Sequence, residues 1–165
     1  MKKFIVSILL LLPLGLIAQE VKIAVVNTQD IFNIMPEVSE LESETASLAE
    51  QYDKEYKIME DEYNRKFADL TAQGDSLSEN IRTLRIQEIQ SIQERIETFV
   101  PMARAAMEKR QEELMVPIRE KIQKAIDEVG EENGYSYILN PGVLLYMGKS
   151  SVDATDKVKA KLGLR

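Results

Sequence analysis

The chain has 165 residues, no cysteine, no histidine and a formal net charge of −7, from 21 basic and 28 acidic side chains. It therefore lacks the commonest general base, the commonest metal ligand and the usual nucleophile–base pairs, and no disulfide or cysteine-linked lipid can form. So acidic a chain is poorly matched to phosphate backbones, which excludes nucleic acid as a partner.

Residues 1–18 read as a secretory signal peptide. Lys2 and Lys3 give a charged start, Phe4 to Ile17 is apolar, and Ala18 is a small residue suited to cleavage. The apolar run is shorter than the roughly 20 residues that span a bilayer. The expectation is a cleaved leader and no stable membrane insertion. Cleavage after Ala18 leaves 19 basic against 28 acidic residues, a net charge of −9. Export without cysteine predicts a soluble periplasmic protein of a Gram-negative bacterium.

Val21 to Asn27 reads as a strand. Val21, Ile23 and Val25 alternate with Lys22, Ala24 and Val26, as in a strand with one face strongly buried. Asn27 or Thr28 caps a short helix through Ile31, Phe32 and Met35. Pro36 suits the first turn of a long helix. Its apolar stripe runs Val38, Leu41, Thr45, Leu48, Tyr52, Tyr56, Met59, Tyr63, Phe67 and Leu70. Steps of three and four make a narrow coiled-coil seam. Gln73 to Ser76 break it, which predicts a turn over residues 73–79. The returning stripe is Ile81, Leu84, Ile89, Ile92, Ile96, Phe99, Ala103 and Ala106, then Leu114, Ile118, Ile122, Ala125, Ile126 and Val129. Pro101 and Pro117 predict bends in this segment, or its division into two or three helices. Gly134 ends it. Tyr135 to Leu139 is a second strand, Asn140-Pro141-Gly142 a turn, Val143 to Met147 a third strand, and Ala154 to Leu162 a last helix.

The fold class is α+β, mostly α: a small β head carrying a long antiparallel helical hairpin arm. The head takes residues 19–36 and 130–165, and the arm 37–129. Segments of 18 and 36 residues bury too little surface to be comfortably stable alone. Oligomerisation through the head is therefore expected, with Val21, Ile23, Val25, Ile138, Leu144 and Tyr146 at the interface. Glu112, Glu113, Glu131 and Glu132 read as solvated helix faces. No phosphate loop, calcium loop or serine elbow is present. No catalytic, cofactor or metal site is expected.

The chain resembles the Skp/OmpH family of periplasmic chaperones over nearly all of its mature length. The resemblance rests on Lys22-Ile23-Ala24-Val25-Val26-Asn27 with Ile31-Phe32 at the front. At the back it rests on Tyr135-Ser136-Tyr137-Ile138-Leu139, Leu144-Leu145-Tyr146, and Asp153-Ala154-Thr155-Asp156 leading to Val158 and Leu162. It implies a homotrimer whose heads form a barrel-like body and whose arms enclose a cavity. It further implies ATP-independent holding of unfolded outer-membrane proteins. Met59, Phe67, Leu70, Ile81, Leu84 and Ile89 are then the candidate client contacts. The best-known member is basic, with positive arm tips and a proposed lipopolysaccharide site. This chain is acidic, and Asp75, Glu79, Arg82, Arg85 and Glu88 around its tip are mixed in sign, so lipopolysaccharide binding is not carried over. The rival from a different class is a coiled-coil spacer or assembly factor of the envelope, which would confine its apolar residues to the seam. An enzyme built on a carboxylate pair and a prefoldin-like cytosolic chaperone fit less well.

Overall fold

The computed structural model describes residues 21–73, 76–148 and 151–164. The expected signal peptide, and Gly74 and Asp75 of the expected tip, lie outside the described residues. The order of elements is β1 (Ile23–Val25), α1 (Thr28–Asn33), α2 (Pro36–Gln73), α3 (Glu79–Asn133), β2 (Tyr137–Leu139), a 3-10 turn (Pro141–Val143), β3 (Val152–Asp153) and α4 (Thr155–Lys161). The fold is mostly α with a small sheet, as the sequence predicts.

The sheet is parallel, with β1 in the centre and the order β2-β1-β3. A parallel pair cannot be closed by a tight turn. Here the whole α2–α3 hairpin is the connection from β1 to β2, so the arm goes out and comes back to the same sheet. Ile23 sits opposite Tyr137 and Val25 opposite Leu139. Val25 also sits opposite Asp153. Val26 N–H donates to Leu139 O at 3.0 Å, and Ala154 N–H to Val25 O at 2.8 Å.

Local signals set the helix ends. Asn27 Oδ1 accepts from the backbone N–H groups of Gln29 and Asp30 and starts α1. Pro36 is the first residue of α2. Gly134 closes α3 at φ 64°, a left-handed conformation that glycine takes without strain. Ser78 begins α3 through its backbone carbonyl, which accepts from Arg82 N–H at 2.9 Å. Asp153 Oδ1 accepts from Thr155 N–H at 2.8 Å and starts α4.

Helix α3 runs unbroken through Pro101 and Pro117, so the alternative of separate helices is overturned. Both prolines are exposed. On the solvent side, water can take the carbonyl that each leaves without a donor. The third strand is a second correction. Residues 144–147 form no strand, and the place beside β1 belongs to Val152–Asp153.

The core lies between one face of the sheet and the helices around it. Ala24 of β1 and Val26 just after it, Ile31 and Met35 around α1, Ile118, Ile122, Ala125 and Val129 of α3, and Ala154 and Val158 at α4 form one cluster, extended by Val38 and Leu41 at the base of α2. The end of α3 thus packs into the head core, although residues 118–129 lie in the span that the sequence reading gives to the arm. The burial of β1 differs from that reading, because Ala24, Val25 and Val26 are all buried rather than alternate residues only. Ala24 and Val26 enter the cluster, while Val21 and Ile23 are exposed. Five apolar residues at 21 and 23–26 serve either parity, so alternation alone does not choose the face.

The arm is held by a ladder of contacts in antiparallel register. Lys121 pairs with Glu37 at the base, then Arg110 with Glu44 at 2.7 Å, Tyr52 with Phe99 at 5.9 Å between ring centroids, Arg95 with Glu62 at 3.7 Å, and Lys66 with Glu88 at 2.7 Å. At 1.5 Å per residue, the 38 residues of α2 reach about 57 Å. These ion pairs are largely exposed, so each is worth at most about 1 kcal/mol.

The pairing gives stability a pH edge. The hydrogen bond from Lys121 holds the Glu37 carboxyl below its ordinary 4.5, helped by its own backbone N–H. Thr155 does the same for Asp153, below its ordinary 3.8. A carboxyl that binds its proton less readily when folded stabilises the protein above its unfolded pKa, and that contribution is lost as pH falls through the folded value. The melting temperature should therefore be level from about pH 8 to 5 and decline below about pH 4.5. Thermal scans of Glu37→Gln should show a slightly lower value at neutral pH and a shallower acid decline, the two curves converging in acid. A mutant that loses stability equally at all pH values would show that the Glu37–Lys121 contact acts through packing instead.

Candidate functional site: the apolar faces of arm and head

The seam of the arm is narrow. Over the outer arm, Met59 on α2 and Ile89, Ile92 and Ala103 on α3 are buried among the described residues. Many other large apolar residues point outward, including Ile58 (68% exposed), Phe67, Ile81, Leu84 (55%), Ile86, Val100 and Met102.

The heptad register explains which residues leave the seam. Counting back by fours and threes from Ile92 and Ile89 lands on Arg85 and Arg82, not on Leu84 and Ile81. Both arginines are half-buried, whereas Leu84 and Ile81 are exposed. On α2 the steps 59, 63, 66, 70 put Lys66 where the sequence stripe places Phe67. Lys66 reaches Glu88 across the arm. Phe67 stacks on Tyr63 at 6.1 Å and 12°, and its ring is 52% exposed. Among the six candidate client contacts, then, Phe67, Ile81 and Leu84 face outward, Leu70 is half-buried, and Met59 and Ile89 fill the seam.

Two open grooves flank Phe99. One, of about 610 Å³, is lined by Ile58, Met59, Phe99 and Met102 together with Glu55, Arg95 and Thr98. The other, of about 690 Å³, includes Ala49, Tyr52, Tyr56, Val100 and Met107. The first is apolar for about one heptad only. Seven residues nearer the head, Gln51 and Lys109 occupy the positions of Ile58 and Met102. Seven residues nearer the tip, the same positions are Arg65 and Arg95. The first groove is therefore a short apolar patch between charged neighbours, able to take one or two large side chains. Ile58, Val100 and Met102 are absent from the expected contacts. Their signal is visible in the sequence as apolar residues one position off the seam.

The head carries a second apolar surface. Val21, Ile23, Tyr137, Val143, Leu145 and Tyr146 are exposed and Leu144 is half-buried. Leu144 is extended, at φ −91° and ψ 130°. Two expected interface residues sit elsewhere. Val25 is 3% exposed within the protomer, and Ile138 packs against the head core. Lys161 bridges α4 to Glu128 and Glu132 of α3, and Lys157 lies 5.4 Å over the Tyr135 ring. These contacts fix α4 against the helix that carries the arm. Among the described residues no helix is long and apolar enough to cross a membrane.

A mostly helical hairpin rooted in a three-stranded parallel sheet is shared with known proteins. One solved structure with this fold is a candidate outer membrane chaperone (OmpH-like) from Caulobacter crescentus. It matches with a TM-score of 0.75 and 11% identity over 87% of this chain and 84% of that one. At that identity the likeness establishes the fold alone. No curated protein matches the chain. The outer membrane protein (OmpH-like) family matches residues 22–162, from the first strand through α4 and including both end motifs. By that match over head and arm together, the chain belongs to the OmpH-like family.

Proposed function

We propose that the protein is an ATP-independent holdase of the periplasm that keeps unfolded outer-membrane proteins from aggregating. The observation that carries this reading is the set of apolar side chains exposed outside the arm seam: Ile58, Phe67, Leu84, Val100 and Met102. A coiled-coil spacer gains nothing from such residues and risks aggregation through them. A holdase uses them as many weak contacts that add by avidity, with no need for a specific site. Family membership supports the chaperone class. The acidic surroundings keep the loaded complex soluble, and no reaction is catalysed.

The working form in this reading is a homotrimer joined through the heads, with three arms around one client. The exposed head residues Val21, Ile23 and Tyr146, with half-buried Leu144, are the surface that assembly covers. Val25 and Ile138 support that surface from within the protomer.

The test is the affinity for an unfolded outer-membrane protein at low and high salt, in enough urea to keep the free client soluble. Salt at 0.5–1 M shortens the Debye length to roughly 3–4 Å. Apolar contacts survive that screening, so affinity should be unchanged or tighter. A loss of a hundredfold or more would contradict the apolar mechanism and favour a basic patch formed by Arg82, Arg85 and Arg95 across subunits.

A further inference from the structure

The chain has seven methionines and no cysteine. Thioether sulfur is therefore its readiest target for two-electron oxidants. The structure sorts the methionines by access. Met35 and Met59 are buried, and Met107 and Met115 are half-buried. Met102 and Met147 are each 52% exposed. Met147 lies in the head after the 3-10 turn. Met102 lies in the arm groove beside Ile58, Met59 and Phe99.

We propose that Met102 is an oxidative modification site, at which a peroxide converts the thioether to a sulfoxide and weakens the groove as an apolar contact. The sulfur lone pair attacks one peroxide oxygen. The S–O bond forms, the O–O bond breaks, and the departing hydroxide leaves as water after taking up the proton that the sulfur-bound hydroxyl gives up. Sulfur is oxidised by two electrons and the peroxide is reduced. The product carries a polar oxygen that needs a hydrogen-bond donor when covered. The Thr98 hydroxyl donates to the Glu94 and Arg95 carbonyls, and the Arg95 guanidinium is drawn toward Glu62 at 3.7 Å. An apolar client side chain seated over Met102 would therefore strip water from the sulfoxide oxygen, or force Arg95 to turn from Glu62 to satisfy it. Reductases that act on methionine sulfoxide make such a change reversible.

The inference rests on the holdase reading for what occupies the groove. The test treats the purified protein with hydrogen peroxide and follows each methionine by peptide mass. Met102 and Met147 should gain oxygen well before Met35 and Met59. Affinity for a labelled unfolded outer-membrane protein is then compared before and after treatment. The oxidised protein should bind about tenfold more weakly, the size of losing one central apolar contact. Measured against its own untreated form, Met102→Leu should lose far less affinity on treatment than the parent does, whereas Met147→Leu should remain as sensitive as the parent. Met102→Gln should be weakened without treatment. Unchanged binding by protein oxidised at Met102, or equal sensitivity of Met102→Leu, overturns the inference and leaves the holdase reading intact. Untreated protein that binds no client overturns both.

Discussion

If the proposed trimer joins through the heads, Ile23→Asp and Tyr146→Asp should each give monomers that keep the helical signal of a folded protomer. Ile23 is 47% exposed and Tyr146 83% exposed in the single chain. An aspartate at either position stays hydrated in the protomer and costs little there. Assembly through this surface would strip that water and leave a charge without a partner, at a cost of several kcal/mol per site. Three such sites in one trimer exceed what its heads can offset. Val25→Asp should behave differently. Val25 is 3% exposed before any assembly, so a charge there should unfold the head itself. Light scattering with circular dichroism separates the cases. Trimers that survive both exposed substitutions would place the interface elsewhere on the head.

Ile31→Ala should destabilise the protein by about 2–5 kcal/mol, the usual cost of removing a buried branched side chain and leaving a cavity. Ile31 is fully buried in the head core, in the same cluster as the fully buried Val26 and Val158. The same truncation at Ile58, exposed on the arm, should change stability by about 0.5 kcal/mol or less. Denaturant unfolding of the two variants measures both. Equal losses would mean that the arm contributes to cooperative stability as much as the head does, which its four buried outer residues argue against.

The long elements were legible because their signals agree. Pro36 and Gly134 mark outer helix ends, and the three-and-four spacing runs between them. The strands were harder. Runs of two or three residues carry almost no period of their own, and β3 is defined only by its register with Ala24 and Val25. Val143 to Met147 has stronger β composition than Val152-Asp153, so propensity pointed to the wrong segment. The proline positions were ambiguous for a physical reason. A proline breaks a helix or is tolerated according to what its face meets, and residues 101 and 117 meet solvent. The arm surface was half legible. Phe67, Ile81 and Leu84 were named as contacts, yet also placed in the apolar stripe. The five-residue step from Leu84 to Ile89 already shows that the register does not pass through both.

The direct measurement of the central claim is client protection by an arm variant. Ile58→Ser, Phe67→Ser and Leu84→Ser combined remove three exposed apolar groups without touching the buried seam or the head core. The account predicts an unchanged oligomer and melting temperature, with affinity for an unfolded outer-membrane protein about a hundredfold lower, since each lost contact is worth roughly 1 kcal/mol. Aggregation of that client, followed by scattering after dilution from urea, should then proceed almost as if no chaperone were present. A triple variant that suppresses aggregation as well as the parent would contradict the claim that these exposed arm residues hold the client.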